Sequence, residues 1–175
     1  MNPILITNIS KFRDTRGVFY ESYKKSHLVR NGIEADFVQD NQSESHAGTV
    51  RGLHYQWDKP MGKLVRVSKG EILDVIVNIR ADSSDFGQVS YFYLSESNLH
   101  QLWVPPGFAH GFAALSDCTV HYKCSSEYNK SGEGSINPLD LSLKINWNID
   151  YNKMLLSYKD KAAQSFEEYK KNSKF

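Results

Sequence analysis

Two cysteines are all the thiol this 175-residue chain holds, and no Cys-x-x-Cys pair or Cys/His cluster with zinc-ligand spacing accompanies them. Cys118 and Cys124 stand in what reads as a single strand, which separates them by roughly 20 Å at ~3.3 Å per residue and keeps them from bonding to each other. The sequence therefore predicts no disulfide scaffold and a reducing compartment. Charge of one sign is equally scarce. A formal net charge of +1, spread over mixed acidic and basic residues, leaves no basic stripe for nucleic acid, so any anionic ligand has to be met by a few placed side chains. No segment approaches the ~20 apolar residues of a membrane-spanning helix, and Met1 to Ser10 lacks the basic-then-apolar pattern of a secretory leader. The expectation is a soluble, cytoplasmic protein. With 40% hydrophobic residues the chain is long enough for one well-buried core and short for two, which predicts a single domain over 1–175.

What is present centres on Arg51-Gly52-Leu53-His54-Tyr55-Gln56, followed after a polar turn by Lys63-Leu64-Val65-Arg66-Val67. Two strand-like arms around a turn predict a hairpin, with His54 and Lys63 brought to one end of a sheet. An imidazole beside an ammonium suits proton abstraction next to a carbonyl: the ring takes a carbon-bound proton and the cation stabilises charge on the oxygen. Strand alternation sets Arg51 and His54 on opposite faces, so if both serve one site Gly52 is the expected position of a bulge. A histidine at a strand end has an ordinary alternative, a structural or solvated ring.

Along the chain, Pro3 to Ile9 reads as an opening strand, Asp14 to Gly17 as a turn into a strand from Val18 to Ser22, and Lys24 to Arg30 as a short helix stopped at Asn31-Gly32. Phe37 to Asn41 reads as a strand and Gln42 to Gly48 as a surface loop. The longest strand spans Glu71 to Arg80: Leu73, Val75, Val77 and Ile79 predict a face packed on a partner sheet, while Ile72, Asp74, Ile76 and Asn78 predict a face lining a cavity. Further strands follow at Gln88 to Leu94, His100 to Val104, Phe108 to Phe112 and Thr119 to Ser125, then a loop from Asn129 to Leu139 and a last strand at Leu143 to Trp147. Ser157 opens a helix whose apolar spacing continues through Ala162, Ala163, Phe166 and Tyr169. Nearly ten short strands with helices only at the periphery predict an all-β sandwich or barrel.

Six motifs occur in order: Asp14-x-Arg16-Gly17-x-Phe19-x-Glu21, Phe37-Val38-Gln39-Asp40-Asn41, Arg51-Gly52-Leu53-His54, Lys63-Leu64-Val65, Pro106-Gly107-Phe108-Ala109-His110-Gly111-Phe112, and Tyr122-Lys123 with Tyr128. Together they resemble the dTDP-4-dehydrorhamnose 3,5-epimerase family from about Phe12 to Asp160. The resemblance implies a cupin-type jelly-roll β-sandwich with a few short peripheral helices, a homodimer exchanging N-terminal strands, and epimerisation of a nucleotide-diphosphate-linked 4-keto-6-deoxy sugar for bacterial surface carbohydrate, with no metal and no organic cofactor. It assigns His54 as general base, Asp160 as the carboxylate orienting it, Lys63 as the cation at the C4 carbonyl oxygen and Tyr122 as the acid on the other ring face. Tyr128 falls on the position that stacks near the nucleoside, and Arg16, Phe19, Glu21, Gln39, Asn41, Arg51, His110, Glu133 and Lys159 on positions that hold nucleotide and sugar. Asp160 has a competing role as the acidic member of a capping box begun by Ser157. Ile136 to Leu139 and Trp147-Asn148 depart from the family pattern, which leaves the identity of the sugar open; the competing readings are a C3-only or C5-only epimerase, a GDP-linked heptose substrate, a ketoisomerase, and a jelly roll that only binds sugar.

Overall fold

The structure, a computed structural model, describes residues 1–175. Twelve strands and three short α-helices follow in the order β1 (Ile4–Ile6), β2 (Lys11–Asp14), β3 (Gly17–Tyr20), α1 (Lys25–Arg30), β4 (Gln39–Ser45), β5 (Val50–Gln56), β6 (Lys63–Lys69), β7 (Glu71–Asn78), β8 (Val89–Ser95), β9 (Gln101–Val104), β10 (Phe108–Ala114), β11 (Cys118–Cys124), β12 (Glu133–Ser135), α2 (Tyr158–Lys161) and α3 (Phe166–Lys171). Two five-stranded sheets, ordered β1-β9-β6-β11-β4 and β12-β5-β10-β7-β8, pair antiparallel throughout, and β2–β3 forms a separate two-stranded ribbon. The sheets face each other across Val65, Val67, Leu102 and Val120 from the first and Ile72, Ile76, Leu94 and Phe112 from the second. This is the β-sandwich with peripheral helices that the strand count implies.

Both faces of β7 are covered, but the face expected to meet the partner sheet does not meet it, and the alternating face that carries Asp74 and Asn78 does. Ile72 and Ile76 meet the partner sheet. Leu73, Val75, Val77 and Ile79 lie instead under the C-terminal segment, packed with Leu143, Trp147, Phe166 and Tyr169. That segment seals the outer face of the second sheet, and burying one such side chain contributes roughly 1.5–3 kcal/mol.

Four other expectations are corrected. Strands β5 and β6 do not form a hairpin: they belong to different sheets, and residues 57–62 carry the chain across the sandwich. Residues 42–45, expected as loop, continue β4, whose polar side chains are held by backbone pairing with β11 at the sheet edge. The loop expected from Asn129 to Leu139 contains β12, paired with β5. Leu143 to Trp147 is not a strand; its apolar side chains pack on the sheet, and Trp147 donates from Nε1 to the Pro138 carbonyl at 2.8 Å. The C-terminal helical spacing resolves into two helices, the second closed by a Ser165–Glu168 capping box.

Candidate active site

The inter-sheet space opens into a cavity of about 560 Å³ lined by Arg51, His54, Lys63, His110, Tyr122, Lys159 and Asp160 among others. Its volume suits a small-molecule site. A second lobe of about 390 Å³ adjoins it, sharing His54, Lys63 and Tyr122 and adding Gln39, Asn41, Tyr128 and Glu133. The catalytic candidates therefore stand where the two lobes meet.

His54 comes from β5 in one sheet, Lys63 from β6 and Tyr122 from β11 in the other. A group held between them meets an imidazole on one wall and a phenol on the opposite wall. Arg51 and His54 share the cavity because β5 carries the expected bulge: Phe112 pairs with Arg51 and His110 with His54, so two steps on β10 span three on β5. Gly52 takes φ +118°, and a Cβ there would meet Gly111 Cα at 2.6 Å and the His110 carbonyl oxygen at 2.7 Å. Only glycine fits this crossing.

Asp160 lies on α2 with its carboxylate buried, and its Oδ1 is 2.6 Å from His54 Nε2. Burial pushes this carboxyl up, but the bond to His54, the His54 charge, Ser157 and the nearby Gly52 amide together hold it below the usual carboxylate range. Ser157 accepts the Asp160 backbone N–H at 3.0 Å, so helix capping and the imidazole contact coexist. With Nε2 engaged, Nδ1 is the ring nitrogen left to take a proton.

Burial holds the Lys63 ammonium below its ordinary pKa, although Cys124, Asp74 and Glu133 pull it back up. Its Nζ lies 5.9 Å from the centre of the Tyr122 ring. Burial, reinforced by Cys124, pushes the Tyr122 phenol up, with Arg51 and Asn41 opposing. A phenol held protonated is equipped to donate.

At the mouth, Glu133 Oε2 accepts from the Tyr128 hydroxyl at 3.0 Å and from Lys159 Nζ at 2.7 Å. Gln39 donates to Asn41 Oδ1 at 2.9 Å and accepts the Tyr128 backbone N–H at 2.8 Å, which leaves the Tyr128 ring more than half exposed as a stacking face. Arg51 is steadied by Ser45 Oγ and the Glu44 carbonyl oxygen, each 3.0 Å away. Arg51, Lys63, Lys159 and Lys161 face a single lining carboxylate in the larger lobe, a balance suited to a diphosphate.

Three expected site residues lie elsewhere. Arg16 and Phe19 sit on the β2–β3 ribbon around a separate cleft, with Arg16 paired to Asp14 at 2.6 Å. Glu21 pairs with Lys24 at 2.9 Å beside another cleft. The ribbon bonds to neither sheet of its own chain, so nothing carries these residues to the cavity.

His110 is buried within β10, and its Nε2 is 2.9 Å from Asp74 Oδ2. Strand alternation places Asp74 on a face expected to line a cavity but gives it no role; in the structure it does not line the cavity and bonds instead to His110, which does. Sequence reasoning missed the segment Met154 to Leu156, which walls the larger lobe and is pinned to Gly48 and Val50 by backbone bonds at 2.9 Å. No three His, Cys, Asp or Glu side chains converge as metal ligands would.

The model of the dTDP-4-dehydrorhamnose 3,5-epimerase family matches residues 1–168. The dTDP-4-dehydrorhamnose 3,5-epimerase of Methanothermobacter thermautotrophicus is 43% identical over 163 residues, covering 92% of this chain and 88% of its own. Among solved structures, a dTDP-6-deoxy-D-glucose 3,5-epimerase from Legionella pneumophila in complex with dTDP-4-keto-L-rhamnose is 44% identical with a TM-score of 0.89, covering 94% of this chain and 88% of its own. An epimerase from Mycobacterium tuberculosis reaches a TM-score of 0.92 at 35% identity, covering 99% of this chain and 88% of its own. With a cupin-type sandwich and a cavity built to oppose an imidazole and a phenol, this chain belongs to the dTDP-4-dehydrorhamnose 3,5-epimerase family.

Proposed function

We propose that this enzyme inverts C3 and C5 of a dTDP-linked 4-keto-6-deoxy sugar. The observation that carries the reading is the placement of His54 and Tyr122 on opposite sheets, with Lys63 at the junction between lobes. The C4 ketone acidifies the hydrogens on C3 and C5. His54, oriented by Asp160, removes one as a proton; the electron pair moves onto the C4 oxygen, where Lys63 stabilises it. Tyr122 returns a proton from the other face and the configuration inverts. Protons alone are exchanged, so the step balances without a redox partner.

The larger lobe's cations, Lys159 among them, suit the diphosphate, and Tyr128 with Gln39, Asn41 and Glu133 suits the nucleoside end. The chain acts as one domain in a cytoplasmic homodimer supplying surface-carbohydrate synthesis, the ribbon of one copy bringing Arg16, Phe19 and Glu21 to the other's cavity. In support, Phe19 is 66% exposed and the ribbon has no sheet of its own to join.

Incubation with dTDP- and GDP-linked 4-keto-6-deoxy sugars in deuterated water tests the reading. Deuterium at both C3 and C5 of the dTDP sugar is the expected result. Label at one carbon means a single-site epimerase, migration of the carbonyl a ketoisomerase, and no exchange with either sugar a binding protein only.

A further inference from the structure

The mechanism above uses one carboxylate–imidazole couple, yet the structure contains two side by side. His54 and His110 are direct cross-strand partners on β5 and β10, and each ring is tied through Nε2 to a buried acid. Asp160 reaches His54 from α2, and Asp74 reaches His110 from β7.

The second acid is the more unusual. Asp74 is 0% exposed and stands opposite Phe112 on β10 and Phe92 on β8. Its Oδ2 meets His110, while its Oδ1 has no hydrogen-bond partner at all. A buried carboxylate with one oxygen unpaired costs the fold free energy, and an apolar side chain in this strand would pack better. The only hydrogen-bonding partner of the Asp74 side chain is a ring that lines the cavity, whereas Asp74 itself does not line it. The cost is therefore spent on how His110 is held.

We propose that Asp74 is a positioning residue: it holds His110 by Nε2–H so that Nδ1, with its lone pair, faces the sugar as a hydrogen-bond acceptor. A 4-keto-6-deoxy sugar keeps a hydroxyl on C3 beside the ketone, and an acceptor fixed on the His54 wall registers the ring so that the acidic carbon faces the base. Misplacement by an ångström at such a site is enough to cost catalysis heavily. Asp74 also adds negative charge near Lys63, which favours the ammonium that the enolate oxygen needs. This proposal rests on the epimerase reading, but part of it is measurable without turnover.

Proton and nitrogen-15 spectra of the histidine rings in the substrate-free protein give that measurement. In the unmutated chain, His110 carries its proton on Nε2, hydrogen-bonded and slow to exchange with solvent, and Nδ1 is unprotonated. A His110 proton found on Nδ1, or a freely exchanging Nε2–H, overturns the proposal with no variant needed. Asp74→Leu removes the acceptor while keeping an apolar core, and is expected to abolish the protected resonance and lower epimerisation by about 10- to 100-fold. Binding of dTDP alone stays unchanged. Asp74→Asn, which keeps an acceptor oxygen, restores both the resonance and a large part of the rate. Equal loss in the Leu and Asn variants, or losses that multiply when Asp74→Leu is combined with His110→Gln, assigns Asp74 a role that does not pass through His110 and overturns the proposal. An unmutated chain that exchanges no deuterium removes the epimerase reading instead, and the ring spectra then still decide whether Asp74 holds His110.

Discussion

The inter-sheet cavity and the β2–β3 ribbon are both made of short strands rich in polar residues, but their side chains are satisfied in different ways. In the cavity, partners come from far along the chain: His54 meets Asp160 and His110 meets Asp74. In the ribbon the charged pairs come from next door, Arg16 with Asp14 and Glu21 with Lys24 beyond its end; Lys11 alone reaches further, to the Ser97 carbonyl oxygen at 2.8 Å, and Phe12 and Phe19 remain largely exposed. Long-range partners fix a group in one orientation against the whole fold; local exposed pairs fix almost nothing and are worth little. The cavity is thus preorganised by this chain alone, and the ribbon is not.

The largest test of that contrast is removal of the base. His54→Ala should reduce deuterium exchange at both carbons by on the order of 10²–10⁴-fold, followed by NMR in deuterated water. Near-normal exchange would take His54 out of the base role and leave the cavity's order unexplained. Tyr122→Phe should cost about 10- to 10²-fold in inversion while proton loss, seen as label washing in without inversion, suffers less. If both steps fall together, donor and base are not divided between the two walls.

Stability probes the same order from the backbone. Gly52→Ala should lower the unfolding free energy by roughly 1–3 kcal/mol from the strain of its positive φ, and the clash of the added Cβ with β10 backbone adds to that loss. Denaturant titration beside the unmutated chain measures it. An unchanged midpoint would mean that the bulge relaxes freely and does not hold Arg51 and His54 on one side. Asp160 gives a smaller, pH-dependent effect. Its folded carboxyl titrates below its unfolded value, so the stability it contributes is complete above the unfolded value and is lost as pH falls through the folded one. Asp160→Asn should therefore reduce stability near neutral pH and flatten the loss on the acid side, and parallel acid limbs for both proteins would refute this.

Much of the cavity was legible because its residues sit in motifs whose chemistry is explicit: a histidine two residues beyond a glycine that must bulge, and a lysine opening the next strand. What the sequence hid was which sheet each strand joins. The six-residue crossing between β5 and β6 looks like a hairpin turn, and only the sandwich topology turns a base beside a cation into a base opposite an acid. Strand β4 was half hidden for another reason: Gln42 to Ser45 has no apolar face to read, because backbone pairing at the sheet edge holds it. Leu143 to Trp147 misled in the opposite direction, its apolar content serving packing without a ladder. The roles given to Arg16, Phe19 and Glu21 came from motif position alone, and no periodicity reveals that a ribbon leaves its own chain's sheets.

The ribbon supplies the smallest effect and the sharpest contrast. Arg16→Ala and Phe19→Ala each remove a largely exposed side chain with only local contacts, so unfolding free energy should change by no more than about 0.5 kcal/mol. If the ribbon completes the cavity of a second copy, the same substitutions should still raise KM several-fold, and the activity of the unmutated chain should fall on dilution below the dimer dissociation constant. Sedimentation and steady-state kinetics over one concentration series read both together. A KM indifferent to both substitutions, or full activity in a chain that sediments as a monomer, would mean that the cavity is complete within one chain and that the ribbon serves something else.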